Sequence, residues 1–182
     1  NIKSRNIFRK VNSKVSQGSE NNLKIIDIDI EEMPTGEISA GAGVGTNGGS
    51  FAFQVSENNW LGEGKNVKFS LTTDEETLEG TLNYFDPNYN FLGNAISYSL
   101  YSVSNDKPNQ GYENSLIGAG IDTKFEQYEN IFVALGLAAS YDDLRTDNSA
   151  SSALKKQSGD FSELTASYGF DYDQRDRSFM PT

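Results

Sequence analysis

From residue 37 to residue 173 the apolar side chains of this 182-residue chain recur at every second position, in eight segments each closed by Gly, Asn, Asp or Pro. A period of two sends successive side chains to opposite faces of an extended backbone, so the segments read as strands. Their even spacing reads as an antiparallel meander, and no helical period is sustained anywhere. The first segment, EISAGAGVG, sets Ile38, Ala40, Ala42 and Val44 against Ser39, Gly41, Gly43 and Gly45. The next two place Phe51, Phe53 and Val55, then Val67, Phe69 and Leu71, on one face; the fourth and fifth do the same with Leu78, Leu82 and Tyr84, then Ile96, Tyr98 and Leu100. Ile117, Ala119, Ile121 and Phe125 mark the sixth, Ile131, Val133, Leu135 and Leu137 the seventh, and Leu164, Ala166, Tyr168, Phe170 and Tyr172 the eighth.

The opposite faces decide what such a sheet encloses. A soluble β-sandwich fills its inner face with large side chains and turns its polar face to water. Here the polar face is small or charged in turn, with Gly41, Gly43, Gly136 and Gly169 on it, which suits the interior of a wide barrel. The connections alternate as well. NNWLGEG, FDPNYNFLGN and QYEN are tight and aromatic, whereas TNGG, KPNQGYE and a stretch from about 142 to 160 are polar and lengthen along the chain. Outer-membrane barrels carry this asymmetry, with short periplasmic turns, longer external loops and aromatic girdles at the interfaces. The aromatic turn residues Trp60, Tyr84, Phe85, Tyr89, Phe91, Tyr128, Tyr172 and Phe179 are therefore expected to form a periplasmic girdle. The fold class read from the pattern is all-β: an antiparallel meander of about eight strands making half of a transmembrane β-barrel.

Residues 1–32 read differently. They offer a short helical end, an alternating strand with Val11, Ser13 and Val15, a polar turn, and a strand with Ile26, Ile28 and Ile30 on one face. This is the tail of a small α+β domain; Pro34 and Gly36 punctuate a linker over 33–36, and the barrel half occupies 37–182.

The inventory removes most chemistry. There is no cysteine and no histidine, which excludes thiolate catalysis, disulfides, His/Cys zinc sites and Ser-His-Asp triads. A net charge of −11 at pH 7 argues against a nucleic-acid partner. No run of about 18 apolar residues offers a transmembrane helix, so a membrane would be crossed by strands. GAGVGTNGG is followed by a Phe-rich strand rather than by the helix a phosphate loop requires. The carboxylate groups in TTDEE, DDLRTD and DYDQRDR read as solvated loops and ion pairs on the polar face, with Asp171, Asp173 and Arg175 near one another. No enzyme activity, cofactor or metal is expected.

ENNWLGEG after the second strand, YFDPNYNFLG after the fourth and YDQRDRSFMPT after the eighth resemble, in order and spacing, the periplasmic turns of the BamA family, barrels preceded by POTRA domains. NIFRKVNSKV and NNLKIIDIDIEE resemble the last helix end and closing strands of a POTRA domain. The resemblance spans essentially the whole chain and implies a fragment: the end of the last POTRA domain and the first half of a sixteen-stranded barrel, without the Arg-Gly loop and the closing strand. It implies outer-membrane protein assembly and insertion in a Gram-negative bacterium, with Ile38, Ser39, Ala40, Gly41, Ala42, Gly43, Val44 and Gly45 as a lateral-gate strand that templates client strands. Nascent β-barrel proteins, outer-membrane lipid and accessory assembly lipoproteins are the implied partners, and the POTRA part lies in the periplasm. A polypeptide or solute transporter of the same superfamily and a soluble β-sandwich binding module are the alternatives. The eight strands are expected to remain an open sheet with two unpaired edges, because the small inward side chains leave a closed eight-stranded interior unfilled.

Overall fold

The computed structural model describes residues 7–20, 22–45 and 48–174. Ten strands and one short helix follow in chain order: β1 (Phe8–Gln17), β2 (Lys24–Glu32), β3 (Gly36–Gly45), β4 (Gly48–Trp60), β5 (Lys65–Thr73), β6 (Thr77–Asp86), β7 (Ala95–Lys107), β8 (Tyr112–Tyr128), β9 (Ile131–Thr146), α1 (Ser152–Gln157) and β10 (Gly159–Tyr172). β1 and β2 form a separate antiparallel hairpin, and β3 to β10 form one eight-stranded sheet in strict sequence order. No pairing joins β3 to β10 among the described residues, so the sheet is open, as expected. The helical end expected ahead of β1 falls on residues 1–6, outside the described residues.

Cross-strand partners share a face, so the register tests the face assignments directly. One row runs Ile38, Val55, Phe69, Leu82, Leu100, Ala119, Ala139 and Leu164 across all eight strands. The neighbouring row runs Ser39, Gln54, Ser70, Thr81, Tyr101, Gly118, Ser140 and Glu163. The eight apolar faces read from sequence thus join into one continuous surface, with the polar faces opposite.

Burial along β7 and β8 is inverted relative to a sheet in water. The polar-face residues Tyr101, Val103, Asn105, Asn114 and Leu116 are half-buried, while Tyr98, Leu100, Ile117 and Ile121 on the apolar face are exposed. Side chains crowd on the polar side and spread on the apolar side, as in a sheet curled around its polar face. The polar face is also less uniformly small than expected: Phe85, Tyr101, Val103, Leu116, Phe132 and Phe161 belong to it by register. Tyr101 lies over Gly118, where an added Cβ would stand 2.3 Å from the Tyr101 ring. The glycine here makes room for a cross-strand aromatic ring.

Several boundaries differ from the sequence reading. The loop expected from about 142 to 160 is shorter: β9 continues to Thr146, α1 fills 152–157, and β10 begins at Gly159. Asp142, Asp143 and Arg145 are polar, yet they pair with β8, and the two aspartates pair also with β10; polarity does not end a strand whose backbone has partners on both sides. KPNQGYE likewise narrows to a turn over 108–111. The polar connections do lengthen along the chain, through 46–47, 74–76, 108–111 and 147–158, but the aromatic set includes the longer 87–94, so chemistry separates the two ends better than length.

Replacing Gly118 by Val is expected to cost about 1–3 kcal/mol through overpacking against Tyr101. Combining it with Tyr101→Ala should recover part of that loss, as measured by a double-mutant cycle on unfolding in detergent. Additive losses would separate the two residues.

Candidate edge strand and aromatic rim

β3 and the aromatic turns are the candidate functional elements. All ten residues of β3 are exposed, including Ile38 at 73% and Val44 at 92%. β4 is its sole strand partner among the described residues, with a continuous register from Gly36–Glu57 to Gly45–Gly48. Among the described residues the backbone donors and acceptors of its other edge have no strand partner. An added Cβ at Gly41 or Gly45 meets nothing within 4 Å, and one at Gly43 meets only Ser50 Oγ at 3.2 Å, so these glycines fill no packing requirement of their own sheet. They keep side-chain bulk off the edge.

Three turns lie together at the end of the sheet where β4 meets β5, β6 meets β7 and β8 meets β9. All three non-glycine residues with positive φ among the described residues sit in them: Leu61 (56°), Phe91 (61°) and Asn130 (64°). Two of the turns share a clamp. Asn59 Oδ1 accepts from Gly64 N at 2.7 Å, and Asn88 Oδ1 accepts from Gly93 N at 2.7 Å, so NWLGEG and NYNFLG are closed by the same Asn-to-Gly bond across five residues. The spacing was visible in the sequence, but its bond was not. Leu61 and Phe91 are held outward, 79% and 91% exposed.

The girdle residues separate into groups. Trp60 ends β4 rather than lying in the turn: an irregularity between Glu57 and Trp60 lets it pair with Lys65, on the apolar face. Tyr84 lies on that face beside Tyr98, a residue outside the expected girdle, with ring centroids 5.9 Å apart. Tyr128, Ile131 and Tyr172 form another apolar-face row. Tyr89 folds back to line a hollow with Ile96, Ile121 and Leu135. Phe85 faces the other way, paired with Asn66 and Ser97 on the polar face. Phe91 borders a hollow with Ile7, Asn58 and Pro87, where the β1–β2 hairpin meets the sheet. Phe179 lies outside the described residues, as does Arg175; Asp171 instead pairs with Lys124 at 3.1 Å, and Asp173 N donates to Asn130 O at 2.9 Å.

On β9 the apolar face runs from Ile131 to Tyr141 and then turns to Asp143 and Arg145, which are paired at 2.7 Å. At about 3.4 Å per residue and a tilt of about 40°, that stretch is about 25 Å tall, the height of the apolar band on outer-membrane barrels. No helix among the described residues is long and apolar enough to cross a membrane, which says nothing of strands.

Residues 59–182, more than half of the chain, match the Omp85 superfamily domain. The outer membrane protein assembly factor BamA of Neisseria meningitidis serogroup B is 28% identical over 131 residues, 69% of this chain and 16% of that protein. The crystal structure of BamA from Haemophilus ducreyi lacking POTRA domains 1-3 aligns with a TM-score of 0.69 at 20% identity, over 99% of this chain and 38% of that one. At that identity the likeness is one of fold. The chain spans a small part of the first relative and well under half of the second.

Single cysteines at Phe53, Phe69, Leu82, Ile121, Leu135 and Phe170 of a lipid-embedded protein should resist water-soluble maleimides, while Gln54, Ser70, Thr81, Lys124 and Ser167 should label. Labelling that ignores the two faces would remove the bilayer from the account. Leu137→Arg, near the middle of the band, should cost about 2–4 kcal/mol.

Proposed function

The chain belongs to the Omp85 superfamily, and from that premise we propose that it is part of an outer-membrane protein assembly factor, comprising the end of a POTRA domain over 1–32, a linker over 33–36 and the first half of the barrel from 37. β3 acts in it as a lateral-gate strand. A client strand adds to the free edge of 38–45 through backbone hydrogen bonds, which give affinity while reading little side-chain sequence. The observation that carries this reading is the ten-residue edge, exposed throughout, with only small side chains from Ser39 to Gly43 and paired on one side among the described residues. No chemical step is involved; the driving energy is the client's own folding. The partners are nascent outer-membrane barrel proteins, outer-membrane lipid and accessory assembly lipoproteins. The barrel half sits in the outer membrane of a Gram-negative bacterium with the β1–β2 hairpin in the periplasm, and Trp60, Tyr84, Tyr128 and Tyr172 mark the periplasmic interface.

A photo-crosslinker at Ser39 or Ala42 is expected to trap nascent barrel proteins, and crosslinks confined to lipid would count against β-augmentation. Gly41→Val separates edge from scaffold. With open space at that position the sheet should keep its stability within about 1 kcal/mol, whereas assembly in cells should fall. Unimpaired assembly with a bulky residue there would mean that clients do not dock on this edge.

A further inference from the structure

β3 is fastened at both ends of its paired edge. At one end Gly45 and Gly48 are partners, and only two residues connect β3 to β4. At the other, beyond the last ladder pair Gly36–Glu57, a cluster of bonds around Thr35, the residue before the strand, adds to the backbone ladder. Asn58 donates to Thr35 O twice, from its backbone N at 3.3 Å and from Nδ2 at 3.2 Å. Thr35 Oγ1 donates to Glu57 Oε1, and the same oxygen accepts from Asn59 N at 2.7 Å. Asn58 Oδ1 in turn accepts from Asn66 Nδ2 on β5, which extends the cluster to the third strand. The first residue of β3 is glycine, and a Cβ there would stand 3.0 Å from Glu57 Oε2, so the carboxylate lies close against the backbone it secures. Two residues before Thr35, Met33 N donates to Ile7 O at 3.2 Å and extends the β1–β2 pairing toward this junction.

We propose that Glu57, acting through Thr35 and Asn58, is a positioning residue that clasps the hairpin-proximal end of β3 to β4, so that β3 and β4 move as one unit when the free edge of β3 receives a partner strand. The proposal rests on the gate reading above for its purpose, but the clasp itself is a property of the fold. A strand fastened by a tight turn at one end only frays first at the other end of its ladder. Held at both ends, it can offer that edge without losing its own register, and a one-residue slip, which would turn every side chain to the wrong face, is blocked.

The test uses the full-length protein in lipid, with Thr35→Val, Glu57→Ala and the conservative Thr35→Ser. Hydrogen exchange over residues 36–40 should accelerate about tenfold in Thr35→Val and in Glu57→Ala, the scale of losing a hydrogen bond to a charged acceptor, while Thr35→Ser retains wild-type exchange. The spin-label distance between Lys14 and Glu129 should broaden in the first two variants only, and the thermal midpoint of the barrel should stay put. Unchanged exchange over 36–40 in both disruptive variants would overturn the clasp, as would acceleration spread equally over all strands. Crosslinking from Ser39 distinguishes the two claims. Loosened exchange with no client trapped at Ser39 keeps the clasp and removes the gate; clients trapped with exchange unchanged does the reverse.

Discussion

The sheet has no protein interior beneath it. Among the described residues the buried apolar side chains are Ile7 and Ala150, both outside the eight strands, and no side chain is fully buried. Stable domains ordinarily pack a second layer against the apolar face of the first. Here the strands are held laterally, by backbone ladders and cross-strand side-chain pairs, while the face bearing Phe69, Leu82, Leu100, Ile117 and Leu164 carries no covering layer. An apolar surface of that extent, at about 25 cal/mol per Å2, is tolerable only in an apolar surrounding. The strand ladders also satisfy the backbone between the edges, which is the condition for entering hydrocarbon at all. The register carries the whole arrangement, because it decides which side chains meet lipid and which meet water.

The two edges of the sheet are chemically unlike. β10 carries Leu164, Tyr168, Phe170 and Tyr172 on its apolar face, all more than 60% exposed, with Tyr168 and Phe170 in edge-to-face contact. β3 has Ile38 and Val44 near its ends and only Ala and Gly between Ser39 and Val44. Large aromatic side chains lend a strand pair much of its energy; small ones leave backbone hydrogen bonds as the main term. A partner on β3 would therefore be held by contacts common to every polypeptide, and released without the loss of specific packing. The Thr35–Glu57–Asn58 cluster complements this by securing the other side of the same strand.

Face assignment was legible in the sequence because a period of two needs only neighbouring residues, and short connections then bring like faces together strand after strand. The strand ends were not. Asp142, Asp143 and Arg145 look like loop residues in isolation, and only their pairing with β8 shows them inside a strand. Trp60 turned on an irregularity of phase, since the break in register before it carries it to the apolar face, whereas Phe85 follows simple alternation after Tyr84 to the polar face. Thr35 and Glu57 are separated by 22 positions, and nothing local to either residue announces their contact. The paired Asn clamps fall between these cases, since their common spacing is readable but its meaning requires the positive-φ geometry of Leu61 and Phe91.

Because every strand of the large sheet pairs with its neighbours in sequence, the cost of closing each contact is that of one hairpin rather than of a long loop. A chain of this kind can be laid down vectorially. Once β3 and β4 are joined, each later strand meets an edge already in place, and the growing sheet always exposes the strand most recently added. Among the described residues β3 and β10 are the two strands of this sheet with a single strand partner each, and β3 is the one reached first along the chain. Its pairing with β4 spans a two-residue connection, so that contact can be in place before the rest of the sheet is added.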